Sequence, residues 1–114
     1  DYDYICREIS SGFEKSENPN VEYIDQHKIK NKKLQLRVWK AGDAFRPLGM
    51  SGKQKISDFL TNKKLNRFEK FNQPVLCADD KIIWVCGHRI DDRYKISDET
   101  IKFISLNRAK RSIV

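Results

Sequence analysis

No stretch of this 114-residue chain is apolar for long enough to cross a membrane as a helix. Its longest apolar runs are Ile82 to Cys86 and Ile101 to Ile104, the second interrupted by a lysine. Both fall far short of the roughly 20 residues a span requires. Cysteine is scarce and odd in number: Cys6, Cys77 and Cys86. A secreted disulfide scaffold carries a paired set, so the count favours a reducing, cytoplasmic setting and three core or half-buried thiols. Histidine is scarcer still. Cys86 and His88 are two apart, with no second CxxC and no HxxxH to complete four ligands, so no metal site is expected. No glycine-rich phosphate loop occurs, which leaves no nucleotide cofactor and no catalytic residue to nominate. The chain also lacks an initiator methionine, a basic-then-apolar leader and a small-residue cleavage site, and it starts at Asp1. We therefore expect a piece of a longer protein.

What is present is charge, unevenly placed. The net charge is +7, yet residues 1–27 hold two bases against seven acids. Residues 28–70 hold thirteen bases against three acids, and residues 71–114 hold eight against six. The middle of the chain thus carries more than the whole net charge. A concentrated basic field attracts phosphate and speeds encounters with polyanions. The same run also suits a merely solvated, lysine-rich face. The length allows one small domain with a modest core. We divide residues 1–114 into an acidic lead-in of strands and loop (1–27), a basic core module (28–106) and a basic tail (107–114).

Local patterns place the elements. Tyr4 to Ile9 and Val21 to Ile24 read as strands on either side of a turn-rich acidic loop, Gly12 to Asn20. Leu34 to Trp39 alternates clearly, with Leu34, Leu36 and Val38 on one face. That alternation predicts Arg37 on the outer face beside an exposed Trp39. Ala41 to Gly52 reads as an extended loop. Ser57 to Lys64 predicts a short helix capped by Ser57 or its neighbour, and Asn66 caps a second one, Arg67 to Phe71, ended by Pro74. Pro74 to Ala78, the turn Asp79-Asp80 and Lys81 to Cys86 form a hairpin signature. Ile101 to Leu106 predicts a last strand, and Asn107 to Val114 a frayed end. Short strands with two small helices give an α+β or mainly β domain.

Two acidic pairs, Asp79-Asp80 and Asp91-Asp92, read as turn or cap chemistry, because strand neighbours point to opposite faces and share no site. The basic constellation reads more sharply as a nucleic-acid surface. Its members are Arg37, Lys40, Arg46, Lys53, Lys55, Lys63, Lys64, Arg67 and Lys70, spread over a strand, a glycine-rich loop and two helices. Glycines there let amides and basic heads approach phosphate closely. Trp39, Phe45 and Phe68 lie among the bases. They would either stack on unpaired bases or pack in the core, and Phe45 and Phe68 favour the core.

The run WKAGDAFRPLGM (39–50) resembles the W-x-PGDRFRPLGM segment of the C-terminal domain of tRNA(Ile)-lysidine synthases. KQKISDFLTNKKLNRFEKFNQPVL (53–76), IIWVCGHRIDDRYKIS (82–97) and Thr100 continue in the family's order, and YIDQHKI (23–29) resembles a weaker upstream feature. Gly42, Asp43, Phe45, Arg46, Pro47, Leu48, Gly49 and Met50 match the loop motif. Lys53, Lys55, Asp58, Phe59, Lys63 and Lys64 match the family's helix, and Arg67 and Pro74 its next segment. Trp84, Gly87, Arg89, Ile90, Asp91 and Arg93 match the last motif. Ala41 and Asn66 stand where proline is usual, Ala44 where arginine is, Phe68 where tryptophan is, and His88 where leucine is common. Ala44 removes one possible phosphate contact.

The resemblance implies a layered, β-sandwich-like α+β fold, similar to a module of the phenylalanyl-tRNA synthetase β subunit. It implies a parent enzyme that ligates lysine, using ATP and Mg, to the wobble cytidine of an isoleucine tRNA. The catalytic domain of that parent carries an SGGxDS loop, which is absent from this sequence. Expected partners are the isoleucine tRNA, gripped along its acceptor arm, and the parent's own N-terminal catalytic domain, with no membrane. Arg89 and Arg93 join the candidate tRNA contacts, with salt bridges to Asp91 and Asp92 as the competing assignment. A rival function is a protein-interaction module whose basic face docks an acidic partner or its own catalytic domain. A stand-alone hydrolase ranks last.

Overall fold

A computed structural model describes residues 2–111. Its largest element is a four-stranded antiparallel sheet built from β3 (Leu34–Val38), β6 (Pro74–Ala78), β7 (Lys81–Val85) and β8 (Arg89–Ile90), in the order β3-β6-β7-β8. The hairpin expected around Asp79-Asp80 is its centre. Asp79 takes a positive φ of 53° and accepts a hydrogen bond from the Lys33 amide at 3.0 Å, which ties the turn to the start of β3.

A second sheet has three strands, β1 (Tyr2–Ile9), β2 (Val21–Asp25) and β9 (Phe103–Lys110). β9 lies between the other two and pairs antiparallel with both, Ile104 opposite Glu8 on one side and Ile24 on the other. The expected frayed end is therefore wrong for residues 107–110: they are ladder residues of a central strand, and the boundary drawn at 107 falls inside β9. Residues 112–114 lie outside the described ones.

The two sheets share one core. Ile24, Ile104 and Leu106 of the three-stranded sheet meet Ala78, Ile83, Trp84, Cys86 and Ile90 of the four-stranded one, with Tyr4 edge-on to Trp84 at 6.5 Å. The opposite face of the four-stranded sheet carries Val75, Cys77, Ile82 and Val85. It is covered by a small hairpin, β4 (Ala44–Phe45) with β5 (Gln54–Lys55), and by α1 (Ile56–Thr61), through Phe45, Ile56, Phe59 and Leu60. The result is three layers around a sheet buried on both faces. That explains why β7 reads as a continuous apolar run rather than an alternating one.

A bulge makes this possible. Cys77 pairs with Ile82 and Leu76 with Trp84, so Ile83 has no partner in β6. The extra residue places Ile82 and Val85 in the outer core, and Ile83 and Trp84 in the inner one.

Several local expectations differ from the structure. The region read as loop, Ala41 to Gly52, contains β4, and β5 follows just beyond it. The first helix ends at Thr61, and its N-cap position is Lys55, with no side-chain cap; neither Ser57 nor a neighbour caps it. The Ile56 amide donates instead to the Asp43 carbonyl at 2.9 Å. α2 (Arg67–Phe71) carries the expected Asn66 cap as a full capping box with Glu69. Cys6 is exposed rather than half-buried.

Candidate nucleic-acid interface

The β4–β5 loop is stapled to the segment after β8 by one carboxylate. Asp91 is fully buried. It accepts from the Arg46 amide at 2.9 Å, the Arg93 amide at 2.8 Å, and the Arg93 side chain twice, at 3.0 and 2.9 Å. The Arg46 carbonyl accepts from the Asp92 amide at 2.6 Å and the Leu48 amide donates to the Ile90 carbonyl at 3.0 Å. Gly49, at φ 87°, donates its amide to Asp92 Oδ1 at 3.1 Å. That bond, with Lys95 beside it, holds the Asp92 carboxyl below its ordinary range. Arg46 thus has a locked backbone and an exposed head that makes no ion pair among the described residues.

A second clamp closes the approach to the loop. Arg37 forks onto Asp43 at 2.8 and 3.1 Å, and the Lys40 amide joins at 2.8 Å. Burial pushes the Asp43 carboxyl up, but the guanidinium and the amide override it and leave it below its usual value. Trp39 is not an exposed indole. It packs on the outer core and its Nε1–H donates to the Lys70 carbonyl at 2.6 Å. Leu36 and Val38, expected inward, are exposed instead.

Beyond the clamps lies the α1–α2 segment. Glu69, the one acid between Asp58 and Asp79, accepts from the Asn66 amide at 3.0 Å and so is occupied as a cap. Lys63 Nζ stands 4.8 Å from the centre of the Phe59 ring and the Arg89 guanidinium carbon 5.8 Å from it. The Phe59 ring of α1 therefore brings together a cation just past that helix and one from β8. Lys70 donates to Thr61 Oγ1 at 2.9 Å. Phe68, expected in the core, is 75% exposed, and Phe71 is exposed as well.

A family model described as the TilS substrate C-terminal domain matches residues 34–105. The chain belongs to the TilS C-terminal domain family. It is 38% identical over 99 residues to the tRNA(Ile)-lysidine synthase of Parabacteroides distasonis, covering 87% of this chain and 22% of that enzyme. It is 42% identical over 96 residues to the tRNA(Ile)-lysidine synthase of Bacteroides thetaiotaomicron, covering 84% of this chain and 22% of that enzyme. The chain spans about a fifth of the length of these curated relatives. A solved structure described as the crystal structure of a TILS C-terminal domain superposes with a TM-score of 0.82 at 21% identity, over 97% of this chain and 86% of the other. That likeness fixes the fold as a TilS C-terminal domain.

Within this TilS domain the eleven candidate cations fall into two groups. Arg37 and Arg93 are bonded to Asp43 and Asp91 and build the scaffold. The other nine, Lys40, Arg46, Lys53, Lys55, Lys63, Lys64, Arg67, Lys70 and Arg89, have no carboxylate partner among the described residues. They lie on or beside the β4–β5 hairpin, α1, α2 and β8. Sequence reasoning missed Arg108, which sits in β9 in what was read as a tail; no local signal marks a strand as central. The thiols do not converge. Cys77 lies in the outer core and Cys86 in the inner one, where burial pushes its thiol up to about 12. A thiol held that high stays protonated and unreactive at neutral pH.

Proposed function

We propose that this domain holds an isoleucine tRNA for a cytoplasmic tRNA(Ile)-lysidine synthase while a separate catalytic domain, with ATP and Mg, joins lysine to the wobble cytidine. The observation that carries the reading is the set of nine cations without carboxylate partners on or beside the β4–β5 hairpin, α1, α2 and β8. Cations already spent on internal ion pairs have little left for phosphate. Two of the nine, Lys40 and Arg46, have their backbones fixed by the clamps, which suits a surface that positions a phosphate backbone. The relatives named tRNA(Ile)-lysidine synthase supply the substrate class and the parent reaction. No step of that reaction is assigned to a residue of this chain.

The test is a salt titration of binding to isoleucine tRNA by fluorescence anisotropy. With four to six phosphate contacts, log K against log salt has a slope of roughly −3 to −5. A slope near zero rejects the reading. It would favour the rival, a basic face that docks an acidic protein or the catalytic domain. In a parallel assay with tRNA, lysine and ATP, this chain alone is expected to show no ligation.

A further inference from the structure

An open groove of about 620 Å³ runs between β1, β3 and α2, away from the outer hairpin. Tyr2, Leu36, Phe68, Gln73, His88 and Arg108 line it. Three features of it take no part in the clamps or in the cation set proposed to hold tRNA.

The first is a fixed cation. Arg108 stacks on the Tyr2 ring at 4.0 Å and donates through Nε to Asn20 Oδ1 at 2.6 Å. It also lies across Gly87, where any Cβ would overlap the guanidinium, and the φ of 81° there also disfavours a side chain. Yet Arg108 has no carboxylate partner among the described residues. The second is an exposed flat surface, Phe68, flanked by exposed Leu36. The third is a histidine with one defined acceptor. Buried Gln73 donates its Nε2 to the Pro74 and Cys86 carbonyls, both at 2.8 Å, so its Oε1 faces His88 Nε2 at 3.1 Å. An oxygen there requires Nε2 to carry the proton. Burial, with Arg108 and Lys63 nearby, lowers His88 to about 4, so the ring is neutral at pH 7 and Nδ1 keeps its lone pair.

We infer that this groove takes one unpaired nucleotide of the bound RNA, with its base stacked on Phe68 and Leu36 and its phosphate on Arg108. His88 Nδ1, an acceptor only, favours bases that offer an exocyclic amine. β1 and β3 are both edge strands, so a peptide strand could add there, but a fixed cation beside an exposed aromatic ring matches the phosphate and base of a nucleotide and no particular peptide. The inference rests on the RNA-holding reading and adds a second, non-electrostatic contact to it.

Two labelled RNA hairpins of equal stem separate the contributions, one blunt and one with a four-nucleotide single-stranded adenine extension. Base stacking on an aromatic side chain is worth roughly 1–3 kcal/mol, so the extension is expected to tighten binding about tenfold. Phe68→Ala, at an exposed position, is expected to abolish that gain and leave blunt-hairpin affinity unchanged, with an unaltered melting temperature. Replacing the extension by uridine, which lacks the amine, is expected to reduce the gain. An extension that adds nothing, or a gain that survives Phe68→Ala, overturns the inference. The RNA-holding reading then still stands, provided the blunt hairpin binds with a steep salt dependence. Failure of both hairpins to bind rejects both proposals.

Discussion

The clamp around Asp91 and the α1–α2 segment are equally rich in bases, but they use them in opposite ways. In the clamp, Arg93 is locked to a fully buried carboxylate, Lys95 pairs with Asp92 at 3.3 Å, and the loop backbone is bonded to the same two acids. In α1–α2, Lys63, Lys64 and Arg67 find no acid, and the nearest one, Glu69, is committed to the capping box. Density of positive charge along the chain therefore does not distinguish a scaffold from a binding surface. The placement of the few acids does.

The comparison breaks first at Asp91. Its carboxylate answers donors from Arg46 and Arg93 in a site closed to solvent, and removing it strands a guanidinium and two amides. Asp91→Ala is expected to cost about 3–5 kcal/mol, since one partner of a buried pair is lost. Urea denaturation measures that cost directly, and the melting temperature should fall by roughly 10 °C or more. A loss below about 1 kcal/mol would mean that the loop is not held by this carboxylate, and the contrast between the two regions would collapse.

His88 is a titratable ring beside two cations without carboxylate partners among the described residues, the fixed Arg108 and Lys63 of the α1–α2 segment. Its folded value, about 4, lies below the ordinary 6.5, first by burial and then by Arg108 and Lys63. As pH falls from 6.5 to about 4, the unfolded chain takes up a proton that the folded chain refuses, so stability declines across that window and is complete above it. Allowing for the partial exposure of the ring, the loss is roughly 1–2 kcal/mol. It should appear as the difference between the pH profiles of the native chain and His88→Gln. Profiles that run parallel from pH 7 to 4 would show that the ring is solvated and that the cations do not act on it.

Much of the architecture was legible because it is local. Two apolar runs around Asp79-Asp80 specify a hairpin, and Asn66 with Glu69 three residues on specifies a capped turn. What escaped is set by non-local packing. β9 sits between β1 and β2, and nothing inside its own sequence says so. Leu36 and Val38 look inward by alternation, yet β3 is an edge strand and the layers beside it cover only Leu34 and Trp39 well. Phe68 looks like core by composition, but α2 has five residues and none of them is buried. At the site, the motif residues Asp43 and Asp91 were visible as positions, whereas which arginine each would capture depended on the clamp. Arg93, open between RNA and salt bridge in the sequence, is the ligand of Asp91. Arg89 is not, and stands over Phe59 instead.

The smallest expected effect is also the most discriminating, because it sets two arginines against each other under the same substitution. Arg37 makes a two-pronged contact with Asp43 that the single ammonium of lysine cannot reproduce. Arg37→Lys should therefore lower stability by about 1 kcal/mol and leave tRNA affinity of the folded fraction unchanged. Arg46 is held only through its backbone, by Asp91 and Asp92, between a buried Phe45 and a buried Pro47, while its head is exposed. A fixed backbone gives that guanidinium a narrow range of directions, and a planar fork binds phosphate better than an ammonium does. Arg46→Lys should leave the melting temperature unaltered and weaken tRNA binding by roughly three- to tenfold, about 1 kcal/mol. Thermal melts beside anisotropy titrations read both effects on the same samples. If Arg46→Lys instead destabilises the fold while the folded fraction binds normally, Arg46 belongs with Arg37 and Arg93 in the scaffold. The RNA contact must then be carried by the cations of the α1–α2 segment and the lysines of the hairpin.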